Sequence, residues 1–280
     1  MGSESDARIL RLATSLIGLL PHSTFAPAPG NLTKQEHPTM SQDAKSDLAP
    51  TGVLRAGINL SNFLLVTGKS AAGDPEGVAP DMAREIAGRL GVPVKYVPYK
   101  TPGELADMAD TGAWDIGLIG AEPQRAEKIT FTAAYVEIEA TYLVPAGSGL
   151  KAIADVDKAG VRIAVTGRSA YGLWLDRNIK HATLVRSDTL DSAYDQFIRD
   201  KLDALAGLRP RLLTDVKKLP GARILEGQFT AVQQAIGTAR KNAAGAAFLR
   251  KFVEEAKASA LVAGLIARHK VIGLSVAPPP

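Results

Sequence analysis

From Val53 onward, short apolar runs alternate with stretches in which apolar residues recur every three or four positions. The runs predict buried strands, and the recurring pattern predicts helices with one face on a core. VLRAGIN (53–59) reads as a strand. PDMAREIAGRLG (80–91) reads as a helix: Met82, Ile86 and Leu90 share a face, Pro80 suits the first turn, and Gly91 ends it. VPVKYVPY (92–99) predicts an edge or irregular strand, because its prolines cannot donate to a ladder. TPGELADMADTG (101–112) predicts a helix with Thr101 and Glu104 at capping-box spacing. WDIGLI (114–119) is apolar on both faces, as a parallel strand covered by helices must be. The order β-α-β-α-β defines a wound α/β unit.

The pattern then repeats. VRIAV, TLVRS and LDALAGL read as strands, with SAYGLWLDRNI and LDSAYDQFIRD as the helices between them. RLLTDV reads as a short helix, and ARILEG and FTAVQQAIG as strands. An apolar-striped helical tract follows from Asn242 to His269, with Phe248, Phe252, Leu261 and Leu265 on its buried face and a break near Ser259. Two wound units and a helical return predict an α/β fold of two lobes around a cleft. The expected boundaries are 51–143 for the first lobe, 144–227 for the second, and 228–280 for the return to the first. EATYLVPAG and ILEGQFTAV are the expected bridges.

Composition narrows the chemistry. With no cysteine, disulfides, thiolate metal sites and cysteine nucleophiles are excluded. The four histidines show no ligand spacing, so no metal and no cofactor are expected. Aromatic residues are only 5% of the chain, which disfavours a stacking surface for nucleic acid. The net charge of +4 arises from interspersed charges without a block of five of one sign, so nucleic acid is not expected as a partner. The basic balance fits at most an acidic ligand or surface, and a monomer is expected.

Residues 1–50 read differently. Arg8 and Arg11 precede LATSLIGLL, and Thr24 and Ala26 follow, the layout of a secretory signal peptide and a periplasmic destination. A start at Met40 would instead leave a short polar leader and a cytosolic ligand-sensing protein. Residues 21–50, rich in Pro, Ser, Thr and Gln, are expected to be disordered.

Open α/β sheets bind ligands beyond the carboxyl ends of their strands. Those ends are GINLSN, LIGAEPQR, VTGRS and AGLRPR, which bring Asn59, Asn62, Gly120, Arg125, Arg168, Ser169 and Arg209 into view. Arg125 offers a planar fork that matches a carboxylate; a surface ion pair with Glu122 or Glu127 is the plainer account of it. Ser169 stands at a helix start, where free amides make an anion site, or where it is simply a cap. Phe63 either stacks on a ligand or joins the core. Glu137 and Glu139 share one strand face, as an acid pair or a solvated edge. GKS at 68–70 is no phosphate loop, since position 63 is Phe and a turn-rich segment follows.

These pieces together resemble the bacterial extracellular solute-binding proteins of the polar amino-acid type, receptors of ABC importers. The resemblance rests on LRAGIN, GVAPDMAREIAGRLGV, TGAWDIGLIG and EPQRAEKITFTAAY, and runs from about Val53 to the end of the helical tract. It implies a type II periplasmic-binding-protein-like fold, a hinged cleft, a membrane permease as partner and no enzymatic activity. Arg125 falls on the family arginine for the ligand α-carboxylate, and Ser169 on the hydroxyl that helps hold the same group. Gly120 stands where family members often have Ser or Thr, and Asn62 with Phe63 near the usual aromatic wall. Leu208, before Arg209, replaces the aspartate that pairs with an α-ammonium. The departure implies a small carboxylate-bearing solute, with Glu122, Glu137 or Glu139 as the acid that would restore an amino acid. Cyclohexadienyl dehydratase shares the scaffold and is the enzymatic alternative.

Overall fold

The computed structural model of the chain describes residues 37–279, and the expected signal segment lies outside them. The first element is helix α1 (His37–Leu48). It is followed by β1 (Leu54–Asn59), a small hairpin of β2 (Gly68–Lys69) and β3 (Pro75–Glu76), and α2 (Val78–Leu90). Next come β4 (Val94–Tyr99), α3 (Pro102–Asp107), β5 (Ile116–Gly120), α4 (Pro123–Ala126), β6 (Ile129–Phe131) and β7 (Val136–Val144). The second wound unit holds β8 (Arg162–Thr166), α5 (Ala170–Asn178), β9 (Thr183–Ser187), α6 (Leu190–Arg199), β10 (Ala204–Leu208) and α7 (Arg209–Asp215). The chain ends with β11 (Arg223–Ile224), β12 (Thr230–Ala239), α8 (Ala243–Ala258), α9 (Leu261–Arg268) and β13 (Ser275–Val276).

Local chemistry accounts for the boundaries. In α2 the stripe Met82, Ile86 and Leu90 is buried, and Gly91 takes the left-handed conformation at φ 63° that ends the helix. Thr101 Oγ1 accepts from Glu104 N, while the Glu104 carboxylate accepts from Lys100 N. The capping box is thus displaced by one residue on its return arm. The proline-bearing β4 is an outermost strand, as its missing donors require. ARILEG shortens to the two residues of β11. In the C-terminal tract Phe252 and Leu265 are buried as expected, but Phe248 and Leu261 are half-buried, and Leu249 and Val262 fill the core beside them. The tract breaks at Ser259 and Ala260, with Ala260 at φ 58°.

The sheet order is β4-β1-β5-β12-β7-β10-β8-β9. β4, β1 and β5 are parallel, and so are β10, β8 and β9. Between these halves run β7 and β12, antiparallel to each other. β12 pairs β7 through Thr230–Gln234 and β5 through Gln234–Gly237. β7 pairs β12 through Val136–Ala140 and β10 through Ala140–Leu143. The two expected bridges therefore overlap the two crossover strands, and both halves are joined through one pair of extended segments.

One expectation is corrected. Residues 37–48, within the stretch read as disordered, form α1, which packs against α8. The reason is burial that the polar composition hides: Ala44 and Leu48 are fully buried in the main core. Asp47 also accepts from Gly245 N at 2.9 Å, supplying from another helix the cap that the Asn242 side chain does not provide to α8. Leu48→Ala should therefore cost about 2–5 kcal/mol in denaturant unfolding, and Asp47→Ala about 1 kcal/mol. Unchanged midpoints would show that α1 is not part of the fold.

Candidate functional site

Four strands end on one cavity. Asn59, Gly120, Thr166 and Leu208, the last residues of β1, β5, β8 and β10, all line a space of about 540 Å³. Parallel strands carry their following loops to the same side, so the site falls where an open α/β sheet puts it. β12 supplies the floor through Val232 and Gln234.

Arg125 sits in the first turns after β5 and is only 5% exposed. Pro123 starts the short helix α4, and this brings the arginine back over the strand end. Its Nη1 donates to Gly120 O at 2.7 Å and its Nη2 to Arg168 O at 2.9 Å. A guanidinium has five N–H donors, so three have no partner among the described residues. Burial lowers its pKa to about 10, with Glu122 opposing the shift and Arg168 adding to it. It is cationic at neutral pH. The expected surface pair does not form: Glu122 is buried and bonds Arg177.

Ser169 is the N-cap of α5. Its Oγ accepts from Gly172 N at 3.0 Å and donates to Thr166 O at 2.7 Å. The hydroxyl is thus largely occupied as a cap, and the anion-binding capacity lies in the first amides of the helix, those of Ala170 and Tyr171. Both residues line the cavity. Arg125 and these amides converge through the turn at Arg168, a non-glycine residue at φ 57°, whose carbonyl takes the arginine.

Asn59, Asn62 and Phe63 also line the cavity. Asn59 Oδ1 accepts from Ser61 and Asn62 Oδ1 from Leu64 N, so both shape the loop after β1. Phe63 is 38% exposed, which places it on the cavity wall rather than in the core. Gly120 contributes by lacking a side chain: a Cβ there would lie 2.8 Å from Ala170 Cβ across the site.

Two expected residues lie elsewhere. The Arg168 side chain points out, pairing with Asp107 at 2.6 Å and reaching Gly103 O on α3. Arg209 pairs with Glu139 and bonds Gly227 O behind the crossover strands. The alternation of β7 turns Glu137 and Glu139 to that same back face, where both line a separate cavity of about 360 Å³ with Arg209. Neither acid faces the site, and neither does Glu122.

Other residues were missed. Lys100 and Asp188 line the cavity from the ends of β4 and β9 and would have emerged by extending the strand-end reading to those strands. Arg211 and Lys218 line it from the segment after β10. The buried Asp215 accepts from Arg211 Nε at 2.8 Å, and Asp191 accepts from Arg211 Nη2 at 2.7 Å. Gln234 has no local motif and was invisible. Among the described residues four cationic side chains line the cavity against two carboxylates, Asp188 and Asp191, both exposed.

Residues 60–269 match the family model of bacterial extracellular solute-binding proteins, family 3. The chain belongs to that family. Its mixed α/β architecture is that of type II periplasmic binding proteins, and solved structures agree. A mutant of ArgBP from T. maritima aligns at TM-score 0.65 and 22% identity, over 81% of this chain and 99% of that one. A putative binding component of an ABC transporter from Wolinella succinogenes, complexed with lysine, aligns at 0.64 and 23%, over 78% and 95%. The ancestral amino acid-binding protein AncCDT-1, a precursor of cyclohexadienyl dehydratase, aligns at 0.63 and 20%, over 82% and 98%. No curated protein sequence matches the chain. Among the described residues no helix is long and apolar enough to cross a membrane, and no cluster of His, Asp and Glu has metal-site geometry.

The contact at Gly120 yields a test. Gly120→Ala should push α5 off β5, enlarging the radius of gyration in small-angle scattering while leaving the unfolding midpoint nearly unchanged. Identical scattering curves would show that the halves do not depend on that contact.

Proposed function

We propose that this protein is the receptor of an ABC importer that captures a small carboxylate-bearing solute between two lobes, 51–143 with 228–280 and 144–227. The observation that carries this reading is Arg125, a buried cation on the cavity wall with three N–H donors that have no partner among the described residues. A carboxylate takes two of them side by side, and the α5 amides favour the same charge. Export to the periplasm, with the signal-peptide layout from Arg8 to Ala26 as the targeting segment, follows from the same reading, and the permease is its partner.

An organic acid fits better than an amino acid. Leu208 lines the wall where a carboxylate would answer an α-ammonium, and the acids that do line the cavity are exposed. An ammonium desolvated beside Arg125 would lose hydration without a buried counter-charge. Asp188, without an ion pair among the described residues, supports an amino acid as the second reading, as do neighbours that bind arginine or lysine. An enzyme of the dehydratase type is disfavoured, because Glu137 and Glu139 face away from the cavity.

A thermal-shift screen of organic acids against their amino-acid counterparts decides. A true ligand at a hundredfold excess over its Kd adds about 2.7 kcal/mol of stability. Arg125→Gln should abolish that gain for every acid; unchanged shifts would refute the site. Leu208→Asp should move the preference toward zwitterions, and a variant that still ignores them would count against the stated role of Leu208.

Affinity should also be flat from pH 6 to 9, since ligand carboxyl groups titrate near pH 4 and Arg125 at about 10. Above pH 10 it should fall as the guanidinium loses its proton. A midpoint between pH 6 and 8 in titration calorimetry would point to a different recognition group.

A further inference from the structure

Three side-chain polar atoms among the described residues are fully buried without a hydrogen-bond partner: Tyr135 Oη, Thr166 Oγ1 and Gln234 Oε1. Tyr135 lies in the core, away from the site. Thr166 and Gln234 line the cavity, at 9% and 5% exposure. An unpaired polar group held so deep destabilises the unliganded protein, unless a ligand meets it. Two of the three orphans lining one cavity mark a recognition surface beyond the arginine.

Gln234 is the sharper case. It stands at the register point where β12 leaves β7 and joins β5, opposite both Val136 and Gly120. The Gly120 carbonyl is the one that accepts from Arg125. The Gln234 backbone is committed, its carbonyl accepting from Tyr135 N, while the next residue, Ala235, faces the core. The carboxamide is left at the cleft floor, beside the point where a ligand carboxylate would dock.

We propose that Gln234 selects for a hydroxyl group on the ligand close to its carboxylate, so that the solute class is a hydroxycarboxylic acid. This rests on the carboxylate reading above. A carboxamide presents an acceptor at one end and a donor at the other, and a hydroxyl answers either. An ammonium answers only the oxygen, and would sit beside Arg125 without a buried carboxylate. Thr166, whose hydroxyl is also unpaired, adds a second polar partner on the opposite half of the sheet. A site built to bond a hydroxyl discriminates against the analogue lacking it, because its own polar groups are then left unpaired.

The test uses the full chain and two matched pairs: malate with succinate, and 2-hydroxy-4-methylpentanoate with 4-methylpentanoate, with leucine as the zwitterion. By calorimetry at least one hydroxy acid should bind about tenfold tighter than its deoxy partner. Gln234→Leu should bring the ratio of hydroxy-acid to deoxy-acid affinity to about one. It should leave the melting temperature of the unliganded protein unchanged or raised; Gln234→Met serves if the leucine variant does not fold. Equal binding of both members of each pair by the parent protein, parallel weakening of both by the variant, or a lowered melting temperature of the unliganded variant would overturn the proposal while leaving the carboxylate site standing. Binding of leucine alone, with no acid bound, would overturn both.

Discussion

A single buried guanidinium organises the site. Arg125 lies in a low-dielectric position where hydration is lost, and two backbone carbonyls replace part of that hydration. They come from Gly120 at the end of β5 and from Arg168 in the turn after β8, on opposite halves of the sheet. The arginine thus ties the two halves together as well as being a candidate anchor. The left-handed backbone at Arg168 aims its carbonyl inward, and the absent side chain at Gly120 lets Ala170 approach. Glu122 moderates the local charge while being held by Arg177 from α5.

Around this centre the polar residues divide by side of sheet. The alternation of β7 sends Glu137 and Glu139 to the back face with Arg209, so an apparent acid pair in the sequence belongs to the outer surface. The alternation of β12 does the opposite for Gln234. Arg168–Asp107 and Arg177–Glu122 also span the two halves; the first is exposed on both sides, which keeps its contribution small and salt-dependent, while the second holds a buried carboxylate.

Much of the architecture was legible because its signals are local. The period-two and period-3.6 patterns, Pro80 and Gly91 at the ends of α2, and Ser169 at the start of α5 are each decided within a few residues. The strand ends followed from the same patterns, and six of the eight expected site residues line the cavity. What failed was nonlocal. Arg168 and Arg209 are near the right strand ends, but partners far away in sequence, Asp107 and Glu139, draw them off. The ordering of α1 depends on α8, almost two hundred residues on, and no window around residue 45 contains that fact. Gln234 owes its position to the register of two strands against a third.

The docking of α1 has a mechanical corollary. It rests on α8, which packs on β12 and β6, and on α2, which packs on β1 and β4. The other half is joined through β7 and β12. A pull applied ahead of residue 37 would therefore reach the half that holds β8, β9 and β10 along the backbone only through β7 and β12.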